Sequence, residues 1–226
     1  MSIPIELRSK YESDYHTGKI SESFGGFEES HWKDINRWSE TAKNISRYNF
    51  NFWYNSYPKV LEIGCGEGSL LSELYKYNFG RGVYTGIDIS HYAISHSVDR
   101  NVKYARACAS ELPFKSNTFD VVMAFDVLEH LPYGAHFSNS IKEIGRVIKS
   151  KGKLIITIPL QNRDGSKDIL ESQGVLEHYI VQNADWWKLE LGQYGFKFIL
   201  SGDSLKEKGY PYNMSPLNHF LEFERS

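Results

Sequence analysis

The 226-residue chain has little cysteine: Cys65 and Cys108 are its only two, and they lack metal-type spacing. That excludes a disulfide framework and a zinc module, and both read as reduced, small, buried residues. No apolar run approaches the roughly 20 residues needed to cross a bilayer, and Met1-Ser2-Ile3-Pro4-Ile5-Glu6 lacks the core of a secretory leader. The expectation is a cytoplasmic protein with no membrane insertion. Neither sign of charge is in excess: 26 basic residues face 28 acidic ones, for a net charge of −2. Without a basic field, nucleic acid is not an expected partner. No His/Asp/Glu grouping has ligand spacing, so no metal is expected. Internal repeats and low-complexity tracts are also missing.

What the chain does have is enough apolar and aromatic residue for one α/β core (41% hydrophobic, 15% aromatic). Residues 1–30 show no clean period and read as an arm or lid. Trp32, Ile35, Trp38, Ala42 and Ile45 then recur at helical steps. From Lys59 onward strand and helix alternate: Lys59–Ile63; a helix with Leu70, Leu71, Leu74 and Tyr75; Val83–Asp88; a short helix over Tyr92–Val98; Val102–Ala107; and Val121–Phe125. A helix carrying Ile141, Ile144, Val147 and Ile148 should end near Lys151-Gly152, and Lys153–Ile158 should follow as a strand stopped by Pro159. Asp185 is the expected cap of a helix through Gln193, ended by Gly195, and Phe196–Leu200 and His219–Phe223 read as two more strands. Such alternation predicts an open, mostly parallel sheet covered on both faces.

The organising stretch is Val60-Leu61-Glu62-Ile63-Gly64-Cys65-Gly66-Glu67-Gly68-Ser69, a strand that breaks into a glycine turn and restarts as a helix. Its carboxylates decide what it can bind. Glu62 precedes the turn and Glu67 lies at its far end, where a phosphate would be repelled. The glycines also miss the dinucleotide spacing, whose third position falls on Ser69, which disfavours an NAD-dependent dehydrogenase. A cationic ligand fits better, and S-adenosylmethionine (SAM), with its sulfonium and ammonium and no phosphate, is one. Asp88, twenty residues after Gly68, ends the second strand, where a carboxylate can accept both ribose hydroxyls of an adenosine ligand. Asp88 could instead cap the helix beginning at Ser90.

Glu62-x-Gly64-x-Gly66-x-Gly68 resembles motif I of the class I SAM-dependent methyltransferases. Cys108-Ala109-Ser110-Glu111-Leu112-Pro113-Phe114 is similar to the family stretch after strand 3, with Cys108 where an Asp is usual. Phe119 to Pro132 resembles the motif around strand 4. The resemblance implies a seven-stranded Rossmann-like sheet with a C-terminal antiparallel hairpin: one domain over 1–226, with an N-terminal arm and cap helix (1–57) and a core (58–226). It implies SAM held by Glu62, Gly64, Cys65, Gly66, Gly68, Asp88, Ile89, Ala109, Ser110, Phe125 and Asp126. A thiol cannot hold the adenine amine as a carboxylate would, so adenine recognition passes to the Ala109 backbone or the Ser110 side chain.

Methyl transfer to an alcohol needs a proton acceptor, and His130 or His178 is the candidate. Glu129-His130 could alternatively only order its loop. Asp164 to Phe196, with His178, Trp186-Trp187 and Gly195-Phe196, is loosely similar to a subgroup associated with sugar, lipopolysaccharide and capsule biosynthesis. The resemblance implies a small polar acceptor, a sugar or sugar-linked metabolite methylated on oxygen, with Tyr15, His178 and Tyr212 on its pocket and Tyr210 as a further wall residue. N- or C-methylation and a non-catalytic SAM-binding subunit are the alternatives.

Overall fold

The computed structural model describes residues 35–48, 57–159, 179–202 and 218–226. The expectations for Tyr15, His178, Tyr210 and Tyr212 fall outside these residues. The elements in order are α1 (Ile35–Tyr48), β1 (Lys59–Ile63), α2 (Ser69–Tyr77), β2 (Val83–Asp88), α3 (His91–Ser95), β3 (Lys103–Arg106) and β4 (Phe119–Phe125). A 3₁₀ turn (Leu128–His130), α4 (Ala135–Val147), β5 (Ile148–Pro159), α5 (Ala184–Gln193), β6 (Phe196–Ser201) and β7 (Asn218–Arg225) complete the order.

The strands form one sheet in the order β3-β2-β1-β4-β5-β7-β6. β1 pairs in parallel with β2 and β4, whereas β7 runs antiparallel between β5 and β6. This is the seven-stranded, doubly wound α/β arrangement expected, with the antiparallel pair at its C-terminal edge.

Alternation along the strands sorts side chains into two cores. Leu61, Ile63, Val122, Ala124, Leu154 and Ile156 face α4 and α5, meeting Phe137, Ile141, Ile144, Trp187 and Leu191. Val60, Val121, Met123 and Ile155 face the other way, against Leu70, Leu71 and Leu74 of α2 and Trp38, Ala42 and Ile45 of α1. Because the central strands are covered on both faces, they read in sequence as mainly apolar runs, with Glu62 the exception in β1. Each such side chain contributes about 1.5–3 kcal/mol by leaving water.

Several boundaries differ from the sequence expectation. The helix expected over Tyr92–Val98 ends at Ser95, and the strand ends at β3, β4, β6 and β7 shift by one or two residues. Two further differences have a plain physical reason. α4 stops at Val147, and Ile148 already pairs with Phe119 as the start of β5. The left-handed turn at Lys151 (φ 60°) interrupts that strand rather than ending the helix. α5 is capped not by Asp185 but by Asn183, whose side chain accepts from the Trp186 amide at 2.9 Å, so Asp185 lies in the first turn. There its charge suits the positive end of the helix. Among the described residues no helix is long and apolar enough to cross a membrane.

Candidate cofactor and acceptor site

The order of the sheet reverses between β1 and β4, so the carboxyl ends of these strands open a crevice at a topological switch point. The glycine turn leaves β1 there. Gly64 and Gly68 have φ of 69° and 85°, and a Cβ would run into Val127 at the first and the Tyr104 phenol at the second. Both positions therefore need glycine for space as well as for conformation. The turn is closed by Cys65 N donating to Ile87 O (3.0 Å) and Gly68 N to Cys65 O (2.8 Å). Gly68 caps α2 without any side-chain hydrogen bond, which leaves the positive end of that helix facing the crevice.

Two acids stand beneath this turn. Asp88 ties the turns together: its Oδ2 accepts the Gly66 amide at 2.9 Å and its Oδ1 the Ser90 amide at 2.8 Å. The helix cap that Asp88 could have supplied belongs to Ser90, whose hydroxyl accepts from Ala93 N. Glu62 is 3% exposed, and its Oε2 has no hydrogen-bond partner. Burial, and next the charge of Asp88, push the Glu62 carboxyl well above the ordinary range. Burial, reinforced by Glu62 and Asp88, likewise raises the Cys65 thiol, so this buried cysteine is an inert wall residue. A buried Glu62 carboxyl with no cation beside it among the described residues makes a pocket electrostatically suited to positive charge.

Around the next strand ends, Ile89 is half-buried and its carbonyl accepts Arg106 Nε at 2.8 Å. Ala109 is buried and Ser110 half-buried, with the Ser110 hydroxyl 3.2 Å from Cys108 Sγ. This stretch is held by a clamp that sequence reasoning did not find. Glu143 Oε2 accepts Leu112 N (2.8 Å), while Arg146 donates to Phe114 O (2.7 Å), Leu112 O (3.0 Å) and Glu143 itself (2.6 Å). The Arg146 hydrogen bond holds the Glu143 carboxyl below its usual range. The i,i+3 spacing of Glu143 and Arg146 was visible in sequence; that both reach back 31–34 positions to one loop was not.

On the far side of the crevice, Phe125 ends β4 and Asp126 follows it, both buried. Asp126 has φ 56°, a left-handed conformation that costs a non-glycine residue energy. Thr157 at the end of β5 holds it there, donating its hydroxyl to Asp126 Oδ1 at 2.7 Å and accepting the Asp126 amide at 3.0 Å. Thr157 too was missed, since a lone threonine in an apolar strand has no motif. Glu129 and His130 follow in the 3₁₀ turn, both buried. The Glu129 carbonyl accepts the amides of Tyr179 and Ile180 at 2.8 and 3.2 Å, tying the β4 end to the chain that returns from beyond β5.

Glu129 is 1% exposed, its Oε2 has no hydrogen-bond partner, and burial, then the charge of Asp126, raise its carboxyl well above the usual range. Folding therefore favours the protonated form, and the stability this group supports is lost as pH rises from the unfolded carboxyl value toward the raised one. Glu129→Gln is accordingly expected to raise the melting temperature at pH 8 by about 2–4 °C, equivalent to about 1 kcal/mol, and to change it little at pH 4.5. Differential scanning calorimetry at both pH values checks this.

Residues 61–156 match the family described as "Methyltransferase domain". The chain is 37% identical over 144 residues to an uncharacterised protein of Methanocaldococcus jannaschii, covering 63% of this chain and 56% of that one. It is 35% identical over 101 residues to cycloartenol-C-24-methyltransferase of Arabidopsis thaliana, covering 40% and 28%. The chain thus spans little more than half of the first relative's length and less of the second. In fold it is similar to magnesium protoporphyrin IX methyltransferase of Synechocystis PCC 6803, solved with bound SAH, with a TM-score of 0.67 at 18% identity over 98% of this chain and 99% of that one.

Proposed function

We propose, proceeding from a methyltransferase domain at residues 61–156 in a class I fold, that the chain is a SAM-dependent methyltransferase. It moves a methyl group to the oxygen of a small polar acceptor. The observation that supports this most is the buried, unpartnered Glu62 carboxyl beside Asp88 under an uncapped helix start. Those residues fit a ligand that is cationic at one end and a nucleoside at the other, and they do not fit a pyrophosphate.

SAM supplies an activated methyl group whose leaving group is a neutral thioether, so what remains for the protein is alignment and exclusion of water. Asp88 receives the ribose hydroxyls, Glu62 the amino-acid end, and the glycine turn lets the backbone lie along the ligand. Ile89, Ala109 and Ser110 border the adenine, with Ser110 or the Ala109 backbone in place of the carboxylate that Cys108 does not provide. Phe125 and Asp126 face the region of the transferred methyl. His130, or His178 in the loop after β5, takes the proton of the acceptor hydroxyl. Tyr15, His178 and Tyr212 are assigned to the acceptor pocket.

The glycan-related acceptor rests on the sequence pattern alone, because Trp187 is fully buried in the core and Gly195 follows the last turn of α5 in a left-handed conformation. The Arabidopsis relative is named for methylation at a sterol carbon and the Synechocystis structure for a porphyrin, so these names do not favour one acceptor.

The test is transfer of radiolabelled methyl from SAM across a panel of sugars, sugar nucleotides, phenols and amines. Labelled O-methyl product supports the reading. SAM binding without transfer to any of them favours a non-catalytic subunit. With the true acceptor, His130→Ala is expected to lower kcat at least about 100-fold, the usual weight of a general base, with cofactor affinity retained. Full turnover removes His130 from that role.

A further inference from the structure

Glu62 stands in an unusual position for a charged group. It sits at the end of β1 on the face covered by α1 and α2, almost wholly out of water, with one carboxyl oxygen unmatched. Its register partners on the neighbouring strands are Gly86 and Met123, neither charged. Among the described residues the titratable groups that interact with it are Asp88 at the end of β2, the Cys65 thiol in the glycine turn and the Tyr104 phenol on β3, all neutral or anionic. Glu67 in the same turn adds another acid. The cations described on the two covering helices are engaged elsewhere, Lys43 with Glu40 (2.8 Å) and Lys76 with Glu73 (2.7 Å). A carboxylate so placed has no counter-charge among the described residues and has a carboxylate neighbour, and the species compatible with that site is the neutral acid.

We propose that Glu62 holds a proton in the ligand-free protein and releases it to solvent when the ammonium at the amino-acid end of the cofactor takes its place. This rests on the methyltransferase reading of the crevice. The assignment to the ammonium follows from donor chemistry. An orphan acceptor needs an N–H or O–H; the sulfonium has neither, and the ribose hydroxyls are matched to Asp88. The exchange balances: the Glu62 O–H bond breaks, its proton leaves to buffer, and an N⁺–H···O⁻ contact replaces it. Glu62 then makes binding of a ligand with an amino-acid end a proton-releasing event, while a bare nucleoside binds without proton movement. Since release of one proton steepens affinity by one decade per pH unit, ligands carrying the ammonium bind up to about tenfold tighter for each unit of rising pH. The gain levels off above the value at which free Glu62 ionises.

Calorimetry in two buffers of different protonation enthalpy reads the proton directly. S-adenosylhomocysteine (SAH) is the probe with the ammonium and 5′-methylthioadenosine the probe without it. The expected result between about pH 5.5 and 7 is release of up to one proton with SAH, none with methylthioadenosine, and none with SAH on Glu62→Gln, which retains the side-chain shape. The inference is overturned if SAH binds with no proton released at any pH from about 5 to 8. It is also overturned if methylthioadenosine releases as much, an arm that needs no variant, or if Glu62→Gln releases it too. Failure of SAH to bind the wild-type chain at all sinks the cofactor reading and this inference together, and is distinguishable from the other outcomes.

Discussion

Replacing Asp88 with alanine is expected to weaken SAH binding by at least about 100-fold while leaving the protein folded. The proposed ligand contacts are two hydroxyl hydrogen bonds to a charged acceptor, each worth about 1.5–3 kcal/mol, and every 1.4 kcal/mol is a decade of affinity. The same substitution frees the Gly66 and Ser90 amides, which Asp88 now holds at 2.9 and 2.8 Å, so the glycine turn loses its fixed relation to the end of β2. Both effects act on the ligand, one by removing a contact and one by loosening the surface it lies on. Asp88→Asn separates them: it retains shape and one backbone acceptor but not the charge, and should fall between wild type and alanine. Isothermal titration supplies the affinities and circular dichroism the control for folding. Unaltered affinity in Asp88→Ala would remove Asp88 from the ligand site.

The largest effect on stability is expected far from the crevice. Lys153 Nζ donates to Glu222 Oε1 at 2.5 Å across β5 and β7, with Glu222 fully buried and Lys153 22% exposed. The other Glu222 oxygen has no hydrogen-bond partner, so among the described residues the lysine is the ion-pair partner that balances this carboxylate. Lys153→Met strips the charge from one side and leaves the other buried, a change that costs about 3–5 kcal/mol. For a chain of this size that corresponds to a fall in Tm of roughly 6–20 °C. Pairing it with Glu222→Leu should recover most of the loss, because an apolar pair of similar volume needs no desolvation of charge. Urea unfolding of the two single variants and the double variant gives the coupling directly. A loss below about 1 kcal/mol for Lys153→Met would mean that water reaches Glu222 on unpairing.

The residues that were legible and those that were not divide along a physical line. β1 and β2 match their sequence-read bounds because each is cut off sharply, by Gly64 in one case and by the polar turn after Asp88 in the other. The end of α4 was misplaced because Ile148 suits a helix face and a strand alike, and pairing with Phe119 decided between them. Asn183 and Asp185 are both competent caps, and the backbone geometry at Asn183, extended with φ −74° and ψ 167°, selected it. At the site, Glu62, Asp88 and the glycines were visible because a ligand-binding turn concentrates its requirements within a few consecutive residues. Thr157, the Glu143–Arg146 clamp and the Tyr104 phenol act across 31 to 36 positions of chain, with no local pattern to mark them.

The amino-acid order by itself therefore determined the alternation of strand and helix, the burial of the central strands on both faces, and an acidic rather than phosphate-binding glycine turn. Each follows from the spacing of apolar, glycine and charged residues within a single element. Only the tertiary structure decided that Glu62 would lie unmatched beside Asp88, that Asp126 would be held in a left-handed conformation by Thr157, and that Lys153 would be set against Glu222. Those outcomes depend on which distant strand becomes a neighbour and how completely water is shut out, and burial and pairing of charge are properties of the packed sheet.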